Sequence, residues 1–206
     1  MYSIVIPYLK TSKYIEQCKH YLQQNSSLEY ELVEIVNETD VYYAYNYGVY
    51  KAKYDKVILL NDDMFVSRGW DVPMVRYITE DVLTTCYVVE PDPGTITRND
   101  NTTIQNIKFD CGKTLTEFEY DKFQNFVDSQ TVPVIQENTK GWYMPLGVHK
   151  KSFVSYPNRL KAEANDILLL DYVYDKVQLP EYYLQVLQFY QYYLLHDQKK
   201  HSLRCL

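Results

Sequence analysis

Lys56-Val57-Ile58-Leu59-Leu60-Asn61-Asp62-Asp63 passes from an aliphatic run straight into two adjacent carboxylates. A short, unbroken apolar run with polar neighbours matches a strand buried on both faces, the kind found inside a parallel sheet. The residues before it extend the reading. Residues 2–9 form a β-branched run containing Pro7, which removes a backbone donor near the strand end. Ile15, Cys18, Tyr21 and Leu22 then recur at helical spacing after Ser12, a candidate cap. Glu31 to Val36 is a second strand, and Val41, Tyr45, Gly48, Val49 and Ala52 mark one stripe of a second helix. The order is strand, helix, strand, helix, strand. Such alternation predicts an α/β domain with a mainly parallel central sheet flanked by helices, right-handed crossovers, and ligands at the carboxyl ends of the strands. Asn61, Asp62 and Asp63 fall at such an end.

The later chain is less regular. Leu83 to Val89 reads as a fourth strand, stopped by Glu90-Pro91-Asp92-Pro93-Gly94. Residues 95–113 are polar without a clear period, and 116–129 suit a helix carrying Phe118, Phe123 and Phe126. Gly141 to Val148 suits a strand returning to the sheet, and 162–176 a helix. Apolar residues in 181–195 are compatible with helix or strand. No internal repeat or low-complexity linker divides the 206 residues, so one domain is expected over 1–206.

The formal net charge of −6 disfavours general nucleic-acid binding, which needs a basic surface. No apolar run reaches the roughly 20 residues of a membrane span, and residues 1–9 lack a basic start and a cleavage site. The expected location is the cytoplasm. Cys18, Cys86, Cys111 and Cys205 show no CxxC spacing and are expected to be free thiols. The 23 tyrosines against 7 phenylalanines suit sugar binding, since a tyrosine is apolar in body and polar at its tip; a compositional bias accounts for them equally well.

Two carboxylates at the mouth of a rigid strand can divide the work of holding a nucleotide. One can accept ribose hydroxyls, while the other supplies a hard oxygen to Mg²⁺ or Mn²⁺ bridging a diphosphate. An acidic pair after a strand can equally begin a loop or cap a helix.

Several ordered segments resemble the family 2 glycosyltransferases, which have the GT-A (Rossmann-like) fold. Tyr2-Ser3-Ile4-Val5-Ile6-Pro7-Tyr8 is similar to the family's first strand, and Glu34 to Asp40 stands where its second strand ends in a base-recognising turn. Ala44-Tyr45-Asn46-Tyr47-Gly48 is similar to its Ala-Arg-Asn-x-Gly helix start, with Tyr45 in the place of arginine. Val36 stands where the turn usually has its first acidic residue. Leu59 to Met64, followed by Gly69-Trp70, resembles the metal-binding segment, with Asn61 at its first position. The resemblance implies that Asp63 is a metal ligand, Asp62 contacts ribose or diphosphate, and Pro7, Tyr8, Asn37 and Asn46 belong to the nucleotide-sugar site. It assigns 1–93 to the donor half and 94–206 to the acceptor half.

Downstream, Gly141 to Val148 is similar to the strand before the family's acceptor site, and Glu163-Ala164-Asn165-Asp166 falls at its Glu-Asp motif. By resemblance Asp166 is the general base. Glu163 is its rival, and a carboxylate there would also favour a helix start. His196 follows Tyr192-Tyr193-Leu194-Leu195 and resembles the late histidine that joins the metal or diphosphate in many enzymes of this fold; an imidazole would favour Mn²⁺ over Mg²⁺. It is equally readable as a surface histidine near Lys199, Lys200 and Arg204. His20 and His149 read as structural or exposed. The implied activity is inverting transfer from a nucleoside-diphosphate sugar, a UDP-sugar first and UDP- or dTDP-rhamnose next, to a hydroxyl of a glycan or glycoprotein. In compactness the chain is similar to the cytosolic capsid-glycan transferases of chloroviruses, large algal DNA viruses. A sugar nucleotidyltransferase is the nearest rival enzyme, but residues 7–14 have no glycine for a triphosphate loop. A non-catalytic nucleotide-sugar-binding module is the other alternative.

Overall fold

The computed structural model describes residues 1–80, 82–92, 95–97, 103–105, 107–130, 135–138, 145–153 and 183–193. The chain opens with β1 (Tyr2–Tyr8), α1 (Ile15–Asn25), β2 (Tyr30–Val36), α2 (Val41–Lys51) and β3 (Lys56–Leu59), in the expected order. β1 pairs in parallel with β2 on one side and with β3 on the other. Val57 to Leu60 are fully buried, as an unbroken aliphatic run in a central strand requires. α1 starts later than the cap signal suggested. The Ser12 hydroxyl accepts the Tyr14 N–H at 3.2 Å and bends the approach, leaving the helix to begin at Ile15 without a side-chain cap.

Beyond β3 come β4 (Met64–Val66), α3 (Asp71–Tyr77), β5 (Thr84–Glu90), the hairpin of β6 (Thr95–Thr97) and β7 (Thr103–Gln105), β8 (Ile107–Lys108), α4 (Tyr120–Ser129), β9 (Ile135–Asn138), β10 (Leu146–His149) and β11 (Tyr183–Tyr193). The sheet runs β2-β1-β3-β10-β5-β11-β4, with β8 beside β5 and β9 beside β11. β10 lies antiparallel between β3 and β5, so β5 runs the same way as β1 and β3, and β11 is parallel to β5. The carboxyl ends of β1, β2, β3, β5 and β11 therefore share one edge. Helices flank the sheet: α1 packs on β4, α2 on β1 and β2, and α3 on β5. Among the described residues no helix is long and apolar enough to cross a membrane.

Residues 181–195 allowed two readings, and the strand holds. β11 pairs with β4, β5 and β9, and its register against β5 shifts between Val186 and Tyr190. That irregularity breaks the two-residue alternation that would have marked a strand in the sequence. The strand expected over 141–148 is ordered as Leu146–His149, and residues 141–144 lie outside the described residues, as does the helix expected over 162–176. Cys18, Cys86 and Cys111 are free and buried.

Two contacts lock the first half. Asp71, fully buried, accepts the Ser27 and Leu28 N–H groups at 2.9 and 2.8 Å and the Tyr2 hydroxyl at 3.2 Å, tying the α1–β2 loop to α3. Three donors compensate a carboxylate taken out of water. Burial, and next the Asp71 charge, push the Tyr2 hydroxyl far above its ordinary range. At the other contact, α2 lies so close to β1 that a Cβ on Gly48 would overlap Val5 Cγ1. Val5 is β-branched and has no soft rotamer to move into. Gly48→Ala is therefore expected to lower the unfolding free energy by about 1–2 kcal/mol net, the overpacking cost exceeding the helix propensity gained. Urea unfolding measures this, and an unchanged or raised midpoint would contradict the close approach.

Candidate functional site

The Leu60 N–H donates to the Val5 carbonyl at 3.0 Å, one residue past the end of β3. There the ladder stops, and Asn61, Asp62 and Asp63 turn the chain into β4. Asp63 is buried, at 6% exposure, and Asp62 is half-buried. Two helices reach this turn from below. The Tyr45 hydroxyl of α2 donates to Asn61 Oδ1 at 2.7 Å, and Cys18 Sγ of α1 lies 3.9 Å from the Asn61 carbonyl. Burial first, then the charges of Asp62 and Asp63, push the Cys18 thiol well above its ordinary range. It is a neutral floor under two carboxylates.

The neighbouring strands end at the same edge. Asn37, just past β2, has φ 62°, a left-handed conformation that asparagine tolerates better than most residues. Its N–H donates to the Tyr8 carbonyl at 2.9 Å, and its Oδ1 accepts the Lys10 N–H at 2.8 Å. Asn37 thus staples the loop after β1 to the loop after β2. The Tyr8 hydroxyl donates to Glu34 Oε2 at 2.6 Å, and Lys19 Nζ reaches the same oxygen at 3.1 Å. Pro7 and Tyr8 are half-buried, and Asn46, half-buried on α2, is the neighbour of Tyr45.

The structure thus brings Pro7, Tyr8 and Asn37 to the β1–β2 end of the edge and Asp62 and Asp63 to the adjacent β3 end. Asp166, Glu163 and His196 lie outside the described residues. His149 pairs with Lys56 at the opposite edge, and His20 is exposed against Tyr21. Sequence reasoning missed three contributors. Cys18 was visible only as part of a helical stripe, and Glu34 only as a strand residue. Glu90, buried at 8% exposure, closes β5 at the site edge; the preceding Val89 is level with Tyr192, and through it with Phe65. A separate cleft, lined by Gln23, Ser26, Leu28, Tyr30 and Tyr54, opens at the amino-terminal edge and touches none of the expected site residues.

Two hard carboxylate oxygens at a rigid strand end suit Mg²⁺ or Mn²⁺ whose remaining ligands are phosphate and water. Among the described residues no group of three or more His, Cys, Asp or Glu could hold a metal by itself. An ion here would be shared with a ligand. The donor set fits that role.

No protein-family model matches the chain, and no curated protein matches its sequence. Among solved structures, it superimposes on GalNAc-T7 with UDP, GalNAc and Mn²⁺, with a TM-score of 0.60 and 11% identity. The fold is of the GT-A type. The match covers 95% of this chain and 44% of that one, so the chain spans less than half of the neighbour's length. At this identity the likeness is one of fold.

The Tyr8–Glu34–Lys19 cluster has a signature in pH. The Tyr8 hydrogen bond, followed by Lys19, holds the Glu34 carboxyl below its ordinary value of 4.5. A depressed carboxyl contributes stability that is full above its unfolded value and is lost as pH falls through the lower folded one. Glu34 is largely exposed, so the effect is screened and stays below about 1 kcal/mol. Urea midpoints of the wild type should converge on those of Glu34→Gln as pH drops below 4.5. A constant gap down through that window would contradict the assignment.

Proposed function

We propose that this chain is a metal-dependent, inverting glycosyltransferase that moves a sugar from a nucleoside-diphosphate sugar, a UDP-sugar in the first instance, to a hydroxyl of a glycan or glycoprotein. The observation that carries the reading is the acidic turn Asp62-Asp63 at the end of the central strand, beside the ends of β1 and β2, in a chain of GT-A fold. The structural neighbour was solved with UDP, GalNAc and Mn²⁺, which supports this donor and metal class.

In this reading Pro7, Tyr8 and Asn37 flank the base, Asn46 and Asp62 face the ribose and diphosphate, and Asp63 is the metal ligand. When bound, Mn²⁺ or Mg²⁺ supplies positive charge against the negative charge of the departing diphosphate. Asp166 takes the proton of the acceptor hydroxyl as its oxygen bonds to the anomeric carbon and the bond from that carbon to the diphosphate oxygen breaks. Attack opposite the leaving group inverts the configuration. His196 is the second metal or diphosphate contact. Tyr193 pairs with Met64, the residue after Asp63. Residues 1–93 serve the donor and 94–206 the acceptor.

A panel of nucleotide-sugars with Mn²⁺ tests this. The wild type should release nucleoside diphosphate from at least one donor, and Asp63→Ala should lose about 100-fold or more of that rate. Asp166→Asn should keep donor binding and lose about 10²–10⁴-fold in transfer to acceptor. Absence of metal-dependent binding and turnover across the panel would overturn the reading, and transfer by Asp166→Asn near the wild-type rate would move the base to another carboxylate, Glu163 first.

A further inference from the structure

We infer that Tyr45 is a positioning residue for the acidic turn, acting through Asn61 to hold Asp62 and Asp63 in register with the nucleotide side of the site. The inference rests on the donor site proposed above and adds a residue to it. Asn61 is the first residue beyond the Leu60–Val5 hydrogen bond, so the sheet no longer fixes it. Its side-chain oxygen takes the Tyr45 hydroxyl at 2.7 Å, and its carbonyl lies against Cys18 Sγ. The side-chain bond is short and joins two uncharged groups.

Tyr45 can act as a strut because it is itself immobile. It is 2% exposed, and it sits one turn before Gly48, where α2 presses on Val5. The line of force runs from Val5 of β1 through Gly48 and Tyr45 to Asn61, returning to the strand that neighbours β1. α2 also starts close behind Asn37, the staple between the loops after β1 and β2. The strut thus joins the elements that carry Tyr8 and Asn37 to the turn that carries the two carboxylates. Asn61 is suited to this place because its amide oxygen accepts the hydroxyl without adding a third negative charge.

Tyr45→Phe removes the hydroxyl and keeps the ring. In metal-free protein, hydrogen exchange of amides 61–64 should quicken about 10-fold, while exchange in β1 and the unfolding midpoint stay near wild type. Separately, Mn²⁺-dependent UDP affinity, read by calorimetry, should fall about 10–100-fold, the usual effect of losing a group that orients a metal ligand. UDP affinity without metal should change much less. Asn61→Asp, which still accepts the hydroxyl, should keep the slow exchange, whereas Asn61→Leu should match Tyr45→Phe. Unchanged exchange at 61–64 in Tyr45→Phe overturns the strut, and so does an equal loss of unfolding midpoint and metal-free affinity, which marks a purely structural role. If exchange responds as expected and the wild type binds no UDP with Mn²⁺, the strut stands and the transferase reading falls.

Discussion

The hydrogen bond from Leu60 N–H to the Val5 carbonyl sets where the central strand ends, and the site follows from that point. Val5 is held from three directions: its register partners are Val33 on β2 and Leu59 on β3, and its side chain lies under Gly48 of α2. Because these contacts are apolar and close-packed, the ladder cannot slide by one residue without turning buried faces outward. Asn61, Asp62 and Asp63 therefore leave the sheet at a fixed height.

Electrostatics at the edge are arranged in two compartments. On the β1–β2 side, Glu34 is compensated by the Tyr8 hydroxyl and Lys19, so its charge is absorbed locally. On the β3 side, Asp62 and Asp63 stand over a Cys18 thiol kept neutral by burial and by their own charges. The first arrangement suits a neutral heterocycle bordered by an aromatic ring, and the second suits a cation that brings phosphates with it. In the proposed reading a cation would offset the repulsion between a chain of net charge −6 and a polyphosphate.

The first half of the fold was legible because its signals are local. Val57 to Leu60 is apolar without interruption, and α2 shows one stripe from Val41 to Ala52, so strand and helix declare themselves within a dozen residues. The second half depends on distant partners. β4 is three residues long and owes its existence to pairing with β11, more than a hundred residues away. α3 is short, and it is pinned through Asp71 to the α1–β2 loop, a contact that no period encodes. β11 hides its alternation behind a register shift. The candidate site divides in the same way: Asp62 and Asp63 follow a readable strand and Tyr8 and Asn37 come from the family resemblance, whereas the floor made by Cys18 and the contact from Tyr45 arise only when α1 and α2 pack on the sheet. Tyr45 is the instructive residue. In the sequence it is one residue of a helical stripe, standing in the place of an arginine, and its hydroxyl meets Asn61.

The central claim is that a nucleoside diphosphate and a divalent metal meet at the end of β3. A crystal structure of the protein grown with UDP and Mn²⁺ tests this most directly. The account predicts the metal on Asp63 and the diphosphate against the turn of Asp62, with the uracil lying toward Tyr8 and Asn37. UDP bound at the opposite edge, in the cleft beside Ser26 and Tyr30, or metal bound away from Asp63, would contradict it.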